Sequence, residues 1–189
     1  MGEKRVQTEA NDIMYELNEE DRTARVINSK THQSIENAVI PEVIRYKGKK
    51  YTVTEIGKRA FFRCANLKTV TLPESIQKIS ERAFSACFHL ESINIPNAVT
   101  SIGDCAFWSC RELKSIDLPN GITEIGNGTF CWCDSLKSIR IPNSIEKLGK
   151  TMLYGCGGIE EIIIPRKKET AIVREYLNEI GYSSVLKAI

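Results

Sequence analysis

The residues with the greatest capacity for chemistry are seven cysteines, and their spacing restrains what they can do. Cys64, Cys87, Cys110, Cys133 and Cys156 recur every 23 residues. A thiol can ligate zinc, form a disulfide or act as a nucleophile. These five lack the C-x-x-C pairing of a structural zinc site. If equivalent positions stack at the ~4.8 Å spacing of paired strands, their Cα–Cβ vectors run parallel. That separation exceeds the mean ~3.8 Å between the Cβ atoms of a disulfide. The five therefore read as reduced thiols packed as small buried hydrophobes. Cys105 and Cys131 stand outside the series, at positions expected to face solvent, and Cys131-Trp132-Cys133 is a weak motif for metal or redox use. An odd total argues against a complete disulfide framework.

Other reactive groups are sparse. The two histidines are His32 and His89, and His89 reads as a surface turn residue, with no nucleophile at its repeat position. The chain contains no P-loop, G-x-G-x-x-G, H-E-x-x-H or G-x-S-x-G motif. Its carboxylates fall at non-equivalent repeat positions. The expectation is a protein that is not an enzyme and holds no metal and no cofactor.

A repeat positions these residues. Pro73, Pro96, Pro119, Pro142 and Pro165 keep the 23-residue spacing, as do Phe61, Phe84, Phe107 and Phe130, with Leu153 in the fifth place. One coil reads LKTVTLPESIQKISERAFSACFH, from Leu67 to His89. Val70 and Leu72 alternate with polar neighbours, the period of a half-buried strand. Pro73 ends that strand, because it has no N–H to donate. Ile76 to Ile79 reads as a second extended or bent side, and Ala83, Phe84 and Cys87 as a helical or 3₁₀ turn. Gly57, Gly103, Gly126 and Gly149 share one corner, and Ser80 in the same place argues against an obligatory positive φ there. The few apolar side chains of one coil cannot offset the entropy of ordering it, so coils must stack. The fold class expected is a mainly β solenoid.

The ends depart from the pattern. Residues 1–11 read as a flexible N-terminus. Within 12–35, Ile13–Leu17 and Thr23–Ile27 flank a polar stretch and read as a β-hairpin cap over the open edge. Coils occupy 36–165, with a nine-residue insertion around Arg45–Lys50 that reads as a hairpin turn. In 166–189, Ile172, Val173, Tyr176, Leu177 and Ile180 share one helical face ahead of Gly181, which predicts a C-terminal helical cap. The whole of 12–189 reads as one domain.

Composition excludes some partners. A net charge of +2 from 26 basic and 24 acidic residues leaves no basic footprint for nucleic acid. No apolar run approaches the roughly 18 residues of a membrane span, so no membrane insertion is expected. The first residues, MGEKRVQT, show no apolar signal region. That leaves two locations open: inside the cell, or outside it with an export signal removed.

The coil L-x-x-I-x-I/L-P-x-x-I/V-x-x-I-G-x-x-A-F-x-x-C resembles the BspA-type leucine-rich repeats, and Gly48–Gly57 looks like that family's opening. The likeness covers roughly 36–165. It implies a right-handed leucine-rich-repeat-type stack of 23-residue coils. It also implies a bacterial surface or secreted protein that binds a protein, cell-surface or matrix ligand, as a monomer or weak dimer. The alternative is an intracellular scaffold or assembly protein of the same fold. Two surfaces are candidates for binding. One is the outward strand face: Thr69 and Thr71, Ser92 and Asn94, Ser115 and Asp117, Ser138 and Arg140, which would form smooth polar ladders. The other is the row beside the Phe series, where Phe62, Trp108 and Tyr154 share a slot and Trp132 and Phe88 lie near it. The core is already filled by the Phe series, so aromatics there suggest an interface.

Overall fold

The computed structural model describes residues 5–164 and 186–188. The chain opens with three short strands: β1 (Arg5–Ala10), β2 (Ile13–Asn18) and β3 (Thr23–Val26). The last two are the expected hairpin, paired antiparallel with Tyr15 opposite Val26. The tail expected to be flexible over 1–11 is instead a strand from Arg5 onward, paired residue for residue with β2. The cause is the turn at Asn11 and Asp12, whose φ values of 52° and 61° match a two-residue hairpin. Both residue types tolerate that left-handed backbone. A short 3₁₀ helix at Lys30–Ser34, capped by the Ser29 hydroxyl, leads into the coils.

Strand β4 (Asn37–Val39) begins the main strand stack. β5 (Val43–Tyr46) and β6 (Lys49–Ile56) form the hairpin expected in the insertion, turning at Lys47 and Gly48 with φ of 47° and 76°. From there, with one coil's main side reduced to the single bridging residue Ile116, the coils supply main strands and second strands in turn. They run β7 (Thr69–Thr71), β8 (Lys78–Ile79), β9 (Ser92–Ile93), β10 (Ser101–Ile102) and β11 (Glu124–Ile125). Then follow β12 (Ser138–Arg140), β13 (Lys147–Leu148) and β14 (Glu161–Ile164). The second strands form the longer sheet, in the order β1-β2-β3-β6-β8-β10-β11-β13, with β5 paired to β6. Its parallel register places Ile56, Ile79, Ile102, Ile125 and Leu148 in one row. The main strands split into β4-β7-β9 and a sheet in which β14 lies between β12 and β15 (Leu186–Ala188). An isolated bridge from Ile116 to Ile139 extends the latter. Of the helical cap expected over 166–189, residues 186–188 form a strand and not a helix, and 166–185 and 189 lie outside the described residues.

The Ala-Phe-x-x-Cys stretch is neither helical nor 3₁₀. The N–H groups of Ala60, Phe62 and Cys64 bond to carbonyls three residues back, whereas those of Arg59, Phe61 and Arg63 cross to Glu81, Ala83 and Ser85 of the next coil. The turns of the next three coils make the same crossing bonds. To aim alternate peptides across the stack, two residues per turn adopt left-handed backbone. The pairs are Arg59 and Arg63, Arg82 and Ala86, Cys105 and Ser109, Gly128 and Trp132, and Thr151 and Gly155. Only two of these ten are glycine, so the crossing hydrogen bonds hold non-glycine residues in a conformation that costs each about 1–2 kcal/mol.

The core runs the length of the stack. Phe61, Phe84, Phe107 and Phe130 are fully buried, and successive rings stack nearly parallel at 5.3, 5.3 and 5.5 Å. The corner glycines are required by contact and not by φ. A Cβ on Gly126 would sit 2.4 Å from the Asp104 backbone nitrogen, and one on Gly103 would sit 2.6 Å from that of Glu81. Ser80 occupies the slot with its hydroxyl donated to Glu55. At the N-terminal end His32, fully buried, stacks on Phe61 at 4.9 Å. Its Nε2 accepts from the Met14 N–H at 3.1 Å, so Nδ1 carries the proton and donates to the Ala60 carbonyl at 3.0 Å. Burial lowers the His32 pKa, against the opposing pull of the Ala60 carbonyl and the Glu9 charge.

Phe84→Ala should cost about 3–5 kcal/mol in urea unfolding, as for other buried Phe truncations; a near-neutral result would disprove the ring stack. His32 predicts a pH dependence with a definite sign. Its folded pKa lies below the unfolded value near ~6.5, so the unfolded chain binds the extra proton first. Stability contributed by neutral His32 is present above that value and is lost as pH falls toward the folded pKa. Melting curves from pH 7.5 to 5 should show the decline, and His32→Phe should flatten that part of the profile.

Candidate functional site

The turn face carries the exposed aromatics. In the slot after the Phe stack lie Phe62, Ser85, Trp108, Cys131 and Tyr154, so large and small residues alternate. The small ones are buried, Ser85 at 2% and Cys131 at 7% exposure, while Trp108 and Tyr154 are 38% and 55% exposed. Phe62 is half-buried beneath Arg59 and Arg63, whose guanidinium carbons lie 5.4 and 5.2 Å from its ring centre. Trp132, in the next slot, is exposed and meets Tyr154 edge to face at 5.7 Å. Its indole lies over Gly155, where a Cβ would come within 2.7 Å of the ring. Phe88 is exposed with Arg111 over it at 5.3 Å. The row thus passes from arginine-covered Phe62 to the open Trp108, Trp132 and Tyr154.

The strand face is more occupied than its composition suggests. Thr71, Ser92, Asn94, Ser115, Asp117 and Arg140 are exposed, whereas Thr69 and Ser138 are half-buried. Thr69 donates its hydroxyl to the Asn37 side chain at 2.7 Å. The Asn94 amide bridges both backbone groups of Leu72, accepting from its N–H at 2.8 Å and donating to its carbonyl at 2.9 Å. Asn94 thereby supplies a sheet rung just beyond the end of β9. Beside this face a row of charges pairs between coils: Glu36 with Lys68, Glu91 with Lys114, and Lys137 with Glu160. The hydrogen bond to each carboxylate raises the Lys68 and Lys114 pKa values. Such exposed pairs contribute little net stability, but they favour one register of coil on coil.

The remaining sequence candidates fall into place. The ladder thiols donate to the preceding coil: Cys87 to the Phe61 carbonyl at 3.0 Å, Cys110 to Phe84 at 3.3 Å and Cys133 to Phe107 at 3.2 Å. Burial pushes the Cys64 thiol up to about 12 and raises those of Cys87, Cys110 and Cys133. Cys131, expected to face solvent, is buried instead, because its slot lies between two bulky aromatics and its Sγ turns to the Thr151 carbonyl at 2.8 Å. Cys105 is partly exposed. His89 is exposed and pairs with Glu112 at 2.8 Å. Among the described residues no three His, Cys, Asp or Glu side chains converge to hold a metal, and no helix is long and apolar enough to cross a membrane. The structural place of His32 was not legible in the sequence, since no local motif marks a residue that closes a stack.

A family model for the BspA type leucine rich repeat region matches residues 52–179 in six copies. The chain belongs to the BspA-type leucine-rich repeat family. Among solved members of this fold, the T. pallidum leucine-rich repeat protein TpLRR is 26% identical with a TM-score of 0.74, over 84% of this chain and 71% of its own. A leucine-rich repeat protein from Bacteroides ovatus is 30% identical with a TM-score of 0.72, over 84% of this chain and 49% of its own. A leucine rich cell surface protein from Faecalibacterium prausnitzii shares the fold at 24% identity and a TM-score of 0.74, over 88% of this chain and 46% of its own. This BspA-type chain thus spans about half the length of the latter two. No curated protein matches it.

Gly155→Ala tests the Trp132 seat. The added methyl meets the indole, and the residue sits at φ 77°. The variant should lose about 1–3 kcal/mol and shift the tryptophan emission maximum; an unchanged spectrum would place Trp132 elsewhere.

Proposed function

We propose that this chain is a protein-interaction module acting in bacterial surface adhesion or recognition. It takes a protein or matrix ligand on its repeat surface, and the primary contact is the row of Trp108, Trp132 and Tyr154, extended by Phe62. One observation carries the reading: Trp108, Trp132 and Tyr154 stay exposed although the neighbouring Phe stack already fills the core. Large, rigid aromatics supply contact area at low entropic cost and are enriched at interfaces. Membership of a repeat family whose modules generally mediate protein interactions supports it. The polar strand face, with Thr69, Thr71, Ser92, Asn94, Ser115, Asp117, Ser138 and Arg140, is the secondary contact. Asn94 and Thr69 contribute less there, because their polar groups are engaged within the stack.

The test is binding of the labelled chain to an array of matrix proteins and glycans, with Trp108→Ala and Trp132→Ala measured against Asp117→Ala and Arg140→Ala. Each tryptophan variant should lose tenfold or more in affinity, about 1.4 kcal/mol, at unchanged melting temperature. Loss confined to the Asp117 and Arg140 variants would move the contact to the strand face and reject the aromatic row.

A further inference from the structure

The two cysteines outside the ladder meet across a gap that only a glycine leaves open. Cys105 is the left-handed residue that opens its turn, and Gly128 stands in the same slot one coil later. A Cβ on Gly128 would lie 3.4 Å from the Cys105 sulfur and 3.3 Å from the Cys131 sulfur. Both sulfurs therefore border one small space and can be no farther apart than about twice those distances. Cys131 is folded toward that space by the turn in which its N–H bonds to the Gly128 carbonyl at 3.1 Å. The ladder thiols are engaged along the stack: Cys87, Cys110, Cys133 and Cys156 direct their sulfurs to carbonyls of the coil before, and Cys133 and Cys156 also bond to each other.

We propose that Cys105 and Cys131 are a reversible disulfide site that staples two adjacent coils beneath the aromatic row. The coupling oxidant is a small-molecule disulfide of the glutathione type. Cys105, the accessible thiol, loses its proton and attacks one sulfur of the oxidant, forming a mixed disulfide and releasing one thiol. Cys131 then loses its proton and attacks the Cys105 sulfur, forming the intramolecular bond and releasing the second thiol. Two protein thiols are oxidised by two electrons, and one oxidant disulfide is reduced to two thiols. Bridging gives up the hydrogen bond from the Cys131 thiol to the Thr151 carbonyl and brings both sulfurs into the space that Gly128 leaves. The bridge ties the turn that carries Trp108 to the turn that carries Trp132. Its formation does not depend on that row being a binding surface.

The experiment uses the full chain, equilibrated with oxidised glutathione or with dithiothreitol, then alkylated in denaturant and weighed. The reduced sample should carry seven alkylated thiols and the oxidised sample two fewer, with no glutathione retained and one peptide cross-link joining Cys105 to Cys131. Cys105→Ser should abolish the loss of thiols. Cys131→Ser should trap glutathione on Cys105, because the resolving thiol is gone. Four results would each overturn the proposal: seven thiols after oxidation, a stable glutathione adduct on the unsubstituted chain, a bridge between other cysteines, or a disulfide between two molecules.

Discussion

Every feature of this solenoid answers to one constraint: successive coils are hydrogen-bonded to each other on all three sides. The bonds run through the second strands, the turns and the main strands, whose ladder is interrupted between β9 and Ile116. Together they fix the rise per coil near ~4.8 Å. Residues 23 apart therefore stand almost in contact, and each position along the coil accepts only what can be stacked on itself. Flat phenyl rings meet the requirement with their planes within 5–9° of parallel. The corner glycines meet it by having no Cβ to collide with the next backbone. The turns meet it at a conformational cost, since residues as large as Arg82 and Trp132 adopt left-handed backbone so that alternate peptides can point across the stack.

The same rise shapes the outer surface. A ring laid across the coil edge, and not stacked flat like the core phenyls, overlaps the next coil, as the Trp132 indole overlaps Gly155. The slot beside the Phe stack resolves this by alternation, with Ser85 and Cys131 set between Phe62, Trp108 and Tyr154. The small members sink and the large members cover them. Trp132 is accommodated by the absence of a side chain at Gly155. An exposed aromatic surface thus follows from packing rules as much as from composition. A cysteine that alternation drives inward also comes to the edge of a gap bordered by another that the turn leaves half outside.

A stack of this kind has ends that must be closed. At the N-terminal end β1 to β3 extend the long sheet, and His32 covers the last phenyl ring while satisfying both of its nitrogens on backbone groups. On the main strand side β14 is covered by β15. Along the flank, Glu36, Lys68, Glu91 and Lys114 alternate in sign from coil to coil, which penalises a slip of the register.

By itself the sequence determined the repeat. The 23-residue spacing of Pro73, Phe84 and Cys87 defines coils, strands and the buried ladder, because identical residues at identical intervals have one economical arrangement. The hairpins at β2–β3 and β5–β6 were equally legible, from local alternation and turn residues. Three features were decided only in three dimensions. Arg5–Ala10 became a strand because β2 offered it a partner. The Ala-Phe-x-x-Cys stretch rejected a helix because its N–H groups bond across coils and not along one. Cys131 turned inward, to the edge of the Gly128 gap that Cys105 also borders, because of what stands in the coils before and after it. In each case the deciding contact joins separate segments of the chain, and the pattern within one coil holds no record of what its neighbour places above it.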